Sequence, residues 1–408
     1  MTAAGRDATG PTLAGAFGFS ETVVEVGAAH PGVRHVMQRV GGTTGFLVAL
    51  DGDRMTDVEV EIGLGHRGFE KEVESEPWHR ALTRVARLGH VGGVQAEVAY
   101  CLAVETLAGV ELPDRAVWLR MMACEASRVA DHFVRLSALA SAIEIAVGQS
   151  IAEAGAVAAA GLLQTMTGCP PFGAWIRLGG VASMPGARLA DRWSETRDHL
   201  ERILARFESA VVGNPTCESR LRGVARLSVD ECLARGVTGP ALRAAGSATD
   251  LRRDVPYLAY ASVDFEVPIG TEGDNLDRLL VVVHEIRESL RIIDHAEGVI
   301  SSLGPGALCA DLGGSTPSAR TDPEIRAAFD LDGPSIPAGE ARFPIEASTG
   351  ELGFFVVSDG GRLPRRIRCR APSFFHAGAL AGMLRGQRFD DLLPTVALLH
   401  LVSGECDR

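Results

Sequence analysis

EIGLGHRGFEK, residues 61–71, sets one imidazole, one guanidinium and an acid–base pair among three glycines, just where an alternating strand pattern stops. Its Lys71 is the only lysine in a 408-residue chain whose Lys and Arg together number 40. Glycines allow a close backbone approach, and Arg67 and Glu70 can lock a loop through charge-assisted bonds. The stretch reads as a built turn between two kinds of structure. Before it, Phe46, Val48 and Leu50 alternate, Asp51 and Gly52 signal a hairpin, and Val58, Val60 and Ile62 alternate again. That is the pattern of a small antiparallel sheet.

After the turn, helical periodicity dominates from about 77 to 165. A cluster of Gly89, Gly92 and Gly93 breaks it, and a helix then runs over 94–108 and stops at Gly109. Pro113 opens a long amphipathic stretch over 114–146. There Glu125, Arg128, His132 and Arg135 share a face beside Asp131, which reads either as a solvated, ion-paired face or as part of a site. A helix is expected over 187–211 and a shorter one after Ser228. Residues 275–303 carry an apolar stripe of Leu279, Val282, Val283, Ile286, Leu290 and Ile293. The region 304–342 reads as loop. Two strand runs, 352–358 and 365–370, flank Ser358-Asp359-Gly360-Gly361 as a hairpin, and a helix follows at 376–386. The fold expected is α+β, mainly α. It comprises a flexible tail over 1–27, a small sheet over 28–75, a helical core over 76–303, and a C-terminal α+β segment over 304–408 packing on that core.

Composition bounds the function. Hydrophobic residues make up 46% and charged residues 23%, the balance of a globular chain. The net charge of −12 argues against tracking nucleic-acid phosphates. The eight cysteines form no CxxC pair and no zinc or iron–sulfur spacing, which suits reduced thiols in a cytosolic compartment. No basic and apolar leader is visible at the N-terminus, and no uninterrupted run of about 18 apolar residues occurs. The Ala-rich stretch 138–163 comes nearest, so work at a membrane would pass through partners.

Nucleotide loops and a Gly-x-Ser-x-Gly elbow are absent, so the chain is not expected to bind a nucleotide. Ser373 reads as a turn serine. The histidines are the informative class: His66 lies in the opening turn, His90 beside the glycine cluster, and His30 and His35 flank Pro31. Each is either a hydrogen-bonded structural residue or a ligand.

The ordered pieces EIGLGHRGFEK (61–71), AYCLAVETLAGVELPDRA (99–116), CEASRVADH (124–132), IRLGGV (176–181), ALRAAG (241–246), DFEVPIG (264–270), GELGFFVVSDGG (350–361) and RAPSFFHAGALAGMLRG (370–386) carry a family resemblance. Together they resemble the D subunit (49 kDa type) of NADH–quinone oxidoreductase, complex I, over residues 28–408. That family is homologous to the large subunit of membrane-bound nickel–iron hydrogenases. The resemblance implies a helical-bundle core of the hydrogenase large-subunit type.

In the hydrogenases two pairs of soft cysteine ligands hold the metals. The resemblance places the first pair at Gly89 and Gly92 and the second near Val402 and Glu405, so no metal is expected here. In complex I the emptied cavity receives a quinone head group, held by a His of the N-terminal sheet loop and a Tyr near the old metal site. Here His90 stands at the Tyr position, and His35 is the weaker candidate for the His. The acid that orients that His aligns with Ala142, with Glu144 two positions on. His66, Arg67 and Glu70 form the site loop. The resemblance further implies quinone as substrate, with NADH, flavin and iron–sulfur clusters on partner subunits. Expected partners are a cluster-bearing subunit, other peripheral-arm subunits and integral-membrane subunits. The expected place is the cytoplasmic face of the cell membrane. The alternative is a non-catalytic scaffold that has lost both the metal centre and the quinone ligands.

Overall fold

The computed structural model describes residues 22–27, 36, 44–89, 91, 93–168, 175–186, 189–310, 312 and 333–408. His30, His35, His90 and Gly92 lie outside the described residues.

Three antiparallel strands form the first sheet: β1 (Thr22–Val26), β2 (Gly45–Asp51) and β3 (Arg54–Glu61), in the order β1-β2-β3. β1 corrects the expected tail over 1–27. Its Thr22-Val23-Val24 run has the β-branched chemistry of a strand, and Thr22–Val26 pairs with Leu50–Phe46. The β2–β3 turn falls at Gly52 and Asp53, with Asp51 paired to Arg54 at the end of β2 and Gly52 at φ 60°. Phe46, Val48, Met55 and Val58 point into the core. The sheet ends before the turn, which leads into a helix, α1 (Phe69–Glu74).

A short α2 (Leu82–Val85) precedes the three helices that dominate the body: α3 (Val94–Ala108), α4 (Asp114–Ala142) and α5 (Ala146–Thr167). α3 matches its sequence bounds, closed by Gly109 in the left-handed conformation. The stretch 114–146 is two helices, because the chain turns at Ile143–Ile145 with Glu144 at φ 62°. α5 is long and apolar enough to cross a bilayer by length and composition, beyond what the uninterrupted-run criterion shows. In this fold its small residues let it lie close along α4: a Cβ at Gly155 would stand 2.5 Å from the Phe133 ring.

A two-stranded ribbon, β4 (Ile176–Arg177) and β5 (Gly180–Val181), connects to α6 (Leu189–Phe207). Short helices follow: α7 (Pro215–Leu221), α8 (Val229–Arg235), α9 (Pro240–Ala244) and α10 (Leu251–Asp254). α8 starts at Ser228 through a full capping box with Glu231. The long α11 (Asn275–Ser302) is capped by Asp274 and buries its predicted stripe.

The C-terminal segment holds a second three-stranded sheet: β6 (Gly339–Glu346), β7 (Glu351–Ser358) and β8 (Arg366–Arg370), ordered β6-β7-β8. The β7–β8 hairpin was legible. β6 falls partly in the stretch read as loop; Pro344 breaks the strand pattern, and the fold tolerates it because β6 is an edge. α12 (Pro372–Leu384) begins four residues earlier than expected, with Pro372 in the first turn. α13 (Leu392–Leu399) and α14 (Ser403–Cys406) close the chain.

Candidate functional site

The polar face of α4 is buried and ion-paired, so the solvated alternative falls away. Glu125 sits at its centre, accepting from Arg128 (3.1 Å), Arg252 (3.2 Å), the Tyr260 hydroxyl (2.6 Å) and the Ser289 hydroxyl (2.6 Å). Burial alone would push the Glu125 carboxyl up; the two arginines and two hydroxyls outweigh it and hold it at about 2. Arg252 also meets Asp250 at 2.7 Å, and Arg243 bridges Glu285 and Glu346, each at 2.7 Å. His132 Nε2 lies 2.9 Å from Glu285. Burial pushes that imidazole down to about 4, so it is neutral at physiological pH. This network ties α4, α10, α11 and the end of β6 into one unit. Its charges are matched by opposite charges at contact distance, which makes it a structural device.

The turn at 61–71 is clamped from an unexpected quarter. The backbone N–H groups of Gly63 and Gly65 donate to the two carboxylate oxygens of Asp407, at 2.5 and 2.7 Å. Arg67 and Glu70 do lock the loop, each to a different neighbour. Arg67 donates to the Arg84 carbonyl at 3.2 Å, and Glu70 accepts from the Cys369 N–H at 2.9 Å with Arg366 at 3.5 Å. His66 is exposed, and neither it nor Arg67 lines the cavity described below. His66 and Arg67 thus stand apart from that cavity. The turn joins sheet to helix through its backbone, and its imidazole faces solvent.

Of the residues aligned with the hydrogenase cysteine pairs, Gly89, Val402 and Glu405 converge; Gly92 lies outside the described residues. Gly89, Gly93, Gln95, Ser127, Asp131, Ser348, Thr349, Val402 and Glu405 are among the residues that enclose a cavity of about 20 Å³. One water needs roughly 10–15 Å³, whereas pockets for drug-sized ligands run to roughly 300–1,000 Å³. The glycines set its size. A Cβ on Gly89 would stand 2.7 Å from the Gly93 Cα, and one on Gly93 only 1.9 Å from the Ala86 carbonyl oxygen. Val91, next to His90 in sequence, is held on both sides: its N–H donates to Asp131 at 3.1 Å and its carbonyl accepts from Ser127 at 3.0 Å.

Two carboxyls line this cavity without an arginine in contact. Asp131 accepts from Val91 N–H and from the Ser348 hydroxyl at 2.8 Å. Burial pushes it up to about 7, with those two bonds and Arg135 pulling it only partly back. Glu405 accepts from Thr349 Oγ1 at 3.0 Å and from the backbone N–H of Ser373 at 2.9 Å, and the Ser373 hydroxyl donates to it as well. Its carboxyl is also raised, by burial first. Ser373 thus stands in the first turn of α12 as a partner for an acid. Glu144 is exposed in the α4–α5 turn and does not line the cavity. Among the described residues, no three His, Cys, Asp or Glu side chains converge as a metal site would require.

The model of the family described as respiratory-chain NADH dehydrogenase, 49 kDa subunit, matches residues 158–408. The D subunit of NADH-quinone oxidoreductase from Pelobacter propionicus is 33% identical over 411 residues, covering 95% of this chain and 96% of that one. The chain belongs to the 49 kDa subunit family. The C/D subunit of NADH-quinone oxidoreductase from Nitrosospira multiformis is 35% identical over 396 residues, and the chain spans 63% of that longer relative. A solved chain from the membrane-bound sulfane sulfur reductase, an archaeal respiratory membrane complex, superposes with a TM-score of 0.83 at 29% identity. The alignment covers 95% of this chain and 98% of that one. The sequence reading singled out Gly89 and Glu405, which line the cavity, only as positions aligned with the hydrogenase cysteines, and left Asp131 as a bystander. It missed Asp407 altogether, since nothing in local spacing signals a bond across 344 positions.

Proposed function

We propose that this chain is a peripheral-arm subunit of a complex-I-like NADH–quinone oxidoreductase, and that it shapes the acceptor-reduction cavity beside a partner's iron–sulfur cluster. Its core is of the nickel–iron hydrogenase large-subunit type, with the metal site given over to acceptor chemistry. NADH, flavin and the clusters belong to partner subunits. Integral-membrane partners hold the assembly at the cytoplasmic face of the membrane, and reduction is coupled to proton translocation. The observation that carries the reading is the small cavity, lined by Asp131 and Glu405 as well as by apolar residues, between Gly89 and Gly93 on one side and Val402 and Glu405 at the C-terminal end. His90 falls in the loop between those glycines and is the candidate quinone ligand, with His35 as the second; His66, Arg67 and Glu70 serve the joining turn. A quinone carbonyl needs a hydrogen-bond donor that also titrates near neutrality, which imidazole is.

One observation favours a second reading, a non-catalytic scaffold: a cavity of about 20 Å³ does not admit a ring as it stands. For the first reading, the loop must open when the acceptor arrives. His90→Phe in the assembled complex separates the two. The first reading expects NADH-to-quinone reduction to vanish while assembly and the NADH-to-ferricyanide reaction persist. Quinone reduction at the parental rate in that variant would return the chain to the scaffold role.

A further inference from the structure

We propose that Asp131 and Glu405, which line one cavity from α4 and α14, supply the two protons of acceptor reduction, the single water for which the closed cavity has room keeping both carboxyls in proton exchange until the acceptor displaces it. The inference rests on the acceptor-cavity reading above and names the groups that serve it.

The buried carboxylates of the structural network, at positions 125, 250, 285 and 346, each meet an arginine at 3.2 Å or less. Asp131 and Glu405 instead rest on hydroxyls and backbone N–H groups, among the described residues. A carboxyl held that way can keep or release a proton, because neither form leaves a buried cation unmatched. Both acids line the same cavity, together with Gly89, Gly93, Ser348 and Thr349. The volume of about 20 Å³ and the polar lining of Gln95, Ser127, Ser348 and Thr349 satisfy what a buried water requires. Both carboxyls border the cavity, so a water within it is within reach of each for exchange.

The charges facing the pair are few. Arg135 on α4 acts on Asp131, Glu405 acts on it from α14, and Arg370 on β8 acts on Glu405. Arg135 is itself opposed by Glu285 on α11. His376 on α12 lies near Arg135 and Arg370, and burial keeps it neutral. His90 adjoins the cavity in sequence, between Gly89 and Val91. The balance of the step is simple. Two electrons come from the partner's iron–sulfur cluster, one at a time, and one O–H bond breaks on each carboxyl. Two O–H bonds form on the quinone oxygens, giving the quinol, and the two carboxylates left behind are reprotonated from solvent.

The test uses the assembled complex with Asp131→Asn and Glu405→Gln, which keep side-chain size and most hydrogen bonds. NADH-to-quinone and NADH-to-ferricyanide rates are followed across the neutral pH range. A donor acid must be protonated, so parental quinone reduction should fall as pH rises through about 7. Asp131→Asn should lower the quinone rate about 100-fold and remove that pH limb, the scale of one positioned proton donor. Glu405→Gln should lower it similarly, with ferricyanide reduction unchanged in both. In Asp131→Ala, added formate should restore quinone reduction in proportion to its concentration, which a purely structural role would not allow. If His90→Phe abolishes quinone reduction while both acid variants keep the parental rate and pH profile, the inference falls and the acceptor-cavity reading stands. If His90→Phe also leaves quinone reduction intact, both fall together. Should one acid variant not assemble, the other and the formate titration decide.

Discussion

Asp407→Asn tests the claim that a C-terminal carboxylate holds the glycine end of the turn, Gly63 to Gly65, beside the bonds that Arg67 and Glu70 make farther along it. Asp407 is 6% exposed, and its two oxygens take the N–H groups of Gly63 and Gly65 at 2.5 and 2.7 Å. Hydrogen bonds to a charged group contribute about 1.5–3 kcal/mol each. The amide keeps one acceptor and presents an NH₂ to the other glycine, so one bond is lost and two donors face one another. Both glycines are exposed, and the freed N–H can turn to water, which trims the loss to about 1–2 kcal/mol. At about 1.4 kcal/mol per tenfold, local opening should become roughly 5- to 30-fold more frequent. Hydrogen exchange read by mass spectrometry on the full chain measures it directly. The peptide spanning 61–71 should exchange faster by that factor, while the peptide from α3, residues 94–108, should not change. Unchanged exchange over 61–71 would refute the clamp; an equal rise in both peptides would show that Asp407 acts on global stability instead.

Arg252→Met takes from the buried Asp250 its closest arginine and from the buried Glu125 one of its two, and should cost about 3–5 kcal/mol in a urea titration; a loss under about 1 kcal/mol would show that the network is not structural. Gly93→Ala forces a Cβ to within 1.9 Å of the Ala86 carbonyl at a φ of 55°, and should lower stability by at least about 2 kcal/mol, whereas Gly109→Ala, in open space at φ 65°, should cost only about 1 kcal/mol. Asp131→Asn gives a pH signature. With the folded carboxyl raised to about 7, the folded state binds a proton that the unfolded state releases above its ordinary range. The parent therefore loses about 1.4 kcal/mol per pH unit from about 4 to 7, and the untitratable variant gains relative stability over that window and no further above it. Urea midpoints at several pH values check this, and a parent–variant gap that ignores pH would refute a protonated Asp131.

Much of the fold was legible because its signals are local. The α3 helix runs between a glycine cluster and Gly109, α11 shows an unbroken apolar stripe, and the β7–β8 hairpin shows Asp359-Gly360 between apolar runs. What stayed hidden depended on tertiary context. β1 lies in a Gly-, Ala- and Thr-rich beginning and becomes a strand through its partner β2. β6 contains a proline that only an edge position excuses. The polar face of α4 has one spacing whether it meets water or arginines, and the arginines that decide the matter come from residues 243 and 252. Asp407 reaches the turn from the far end of the chain, so no window of sequence contains both.

The choice between an acceptor cavity and a scaffold turns on two glycines. Gly89 and Gly93 close on one another so tightly that a Cβ on the first would collide with the Cα of the second. That contact narrows the space left between the loop and Glu405. Packing of this kind is achieved without side chains, so it rests on little buried apolar area and few interlocking groups. The described anchors at Val91 are its N–H, which donates to Asp131, and its carbonyl, which accepts from the Ser127 hydroxyl. The arginine network beneath α4, by contrast, is multiply bonded and would resist displacement. On the acceptor-cavity reading proposed above, an opening at Val91 would cost its N–H bond to Asp131, and losing that donor would raise the proton affinity of Asp131. Acceptor entry and proton loading would then be coupled through one hydrogen bond. A scaffold would have no use for that coupling, and a reduction site would.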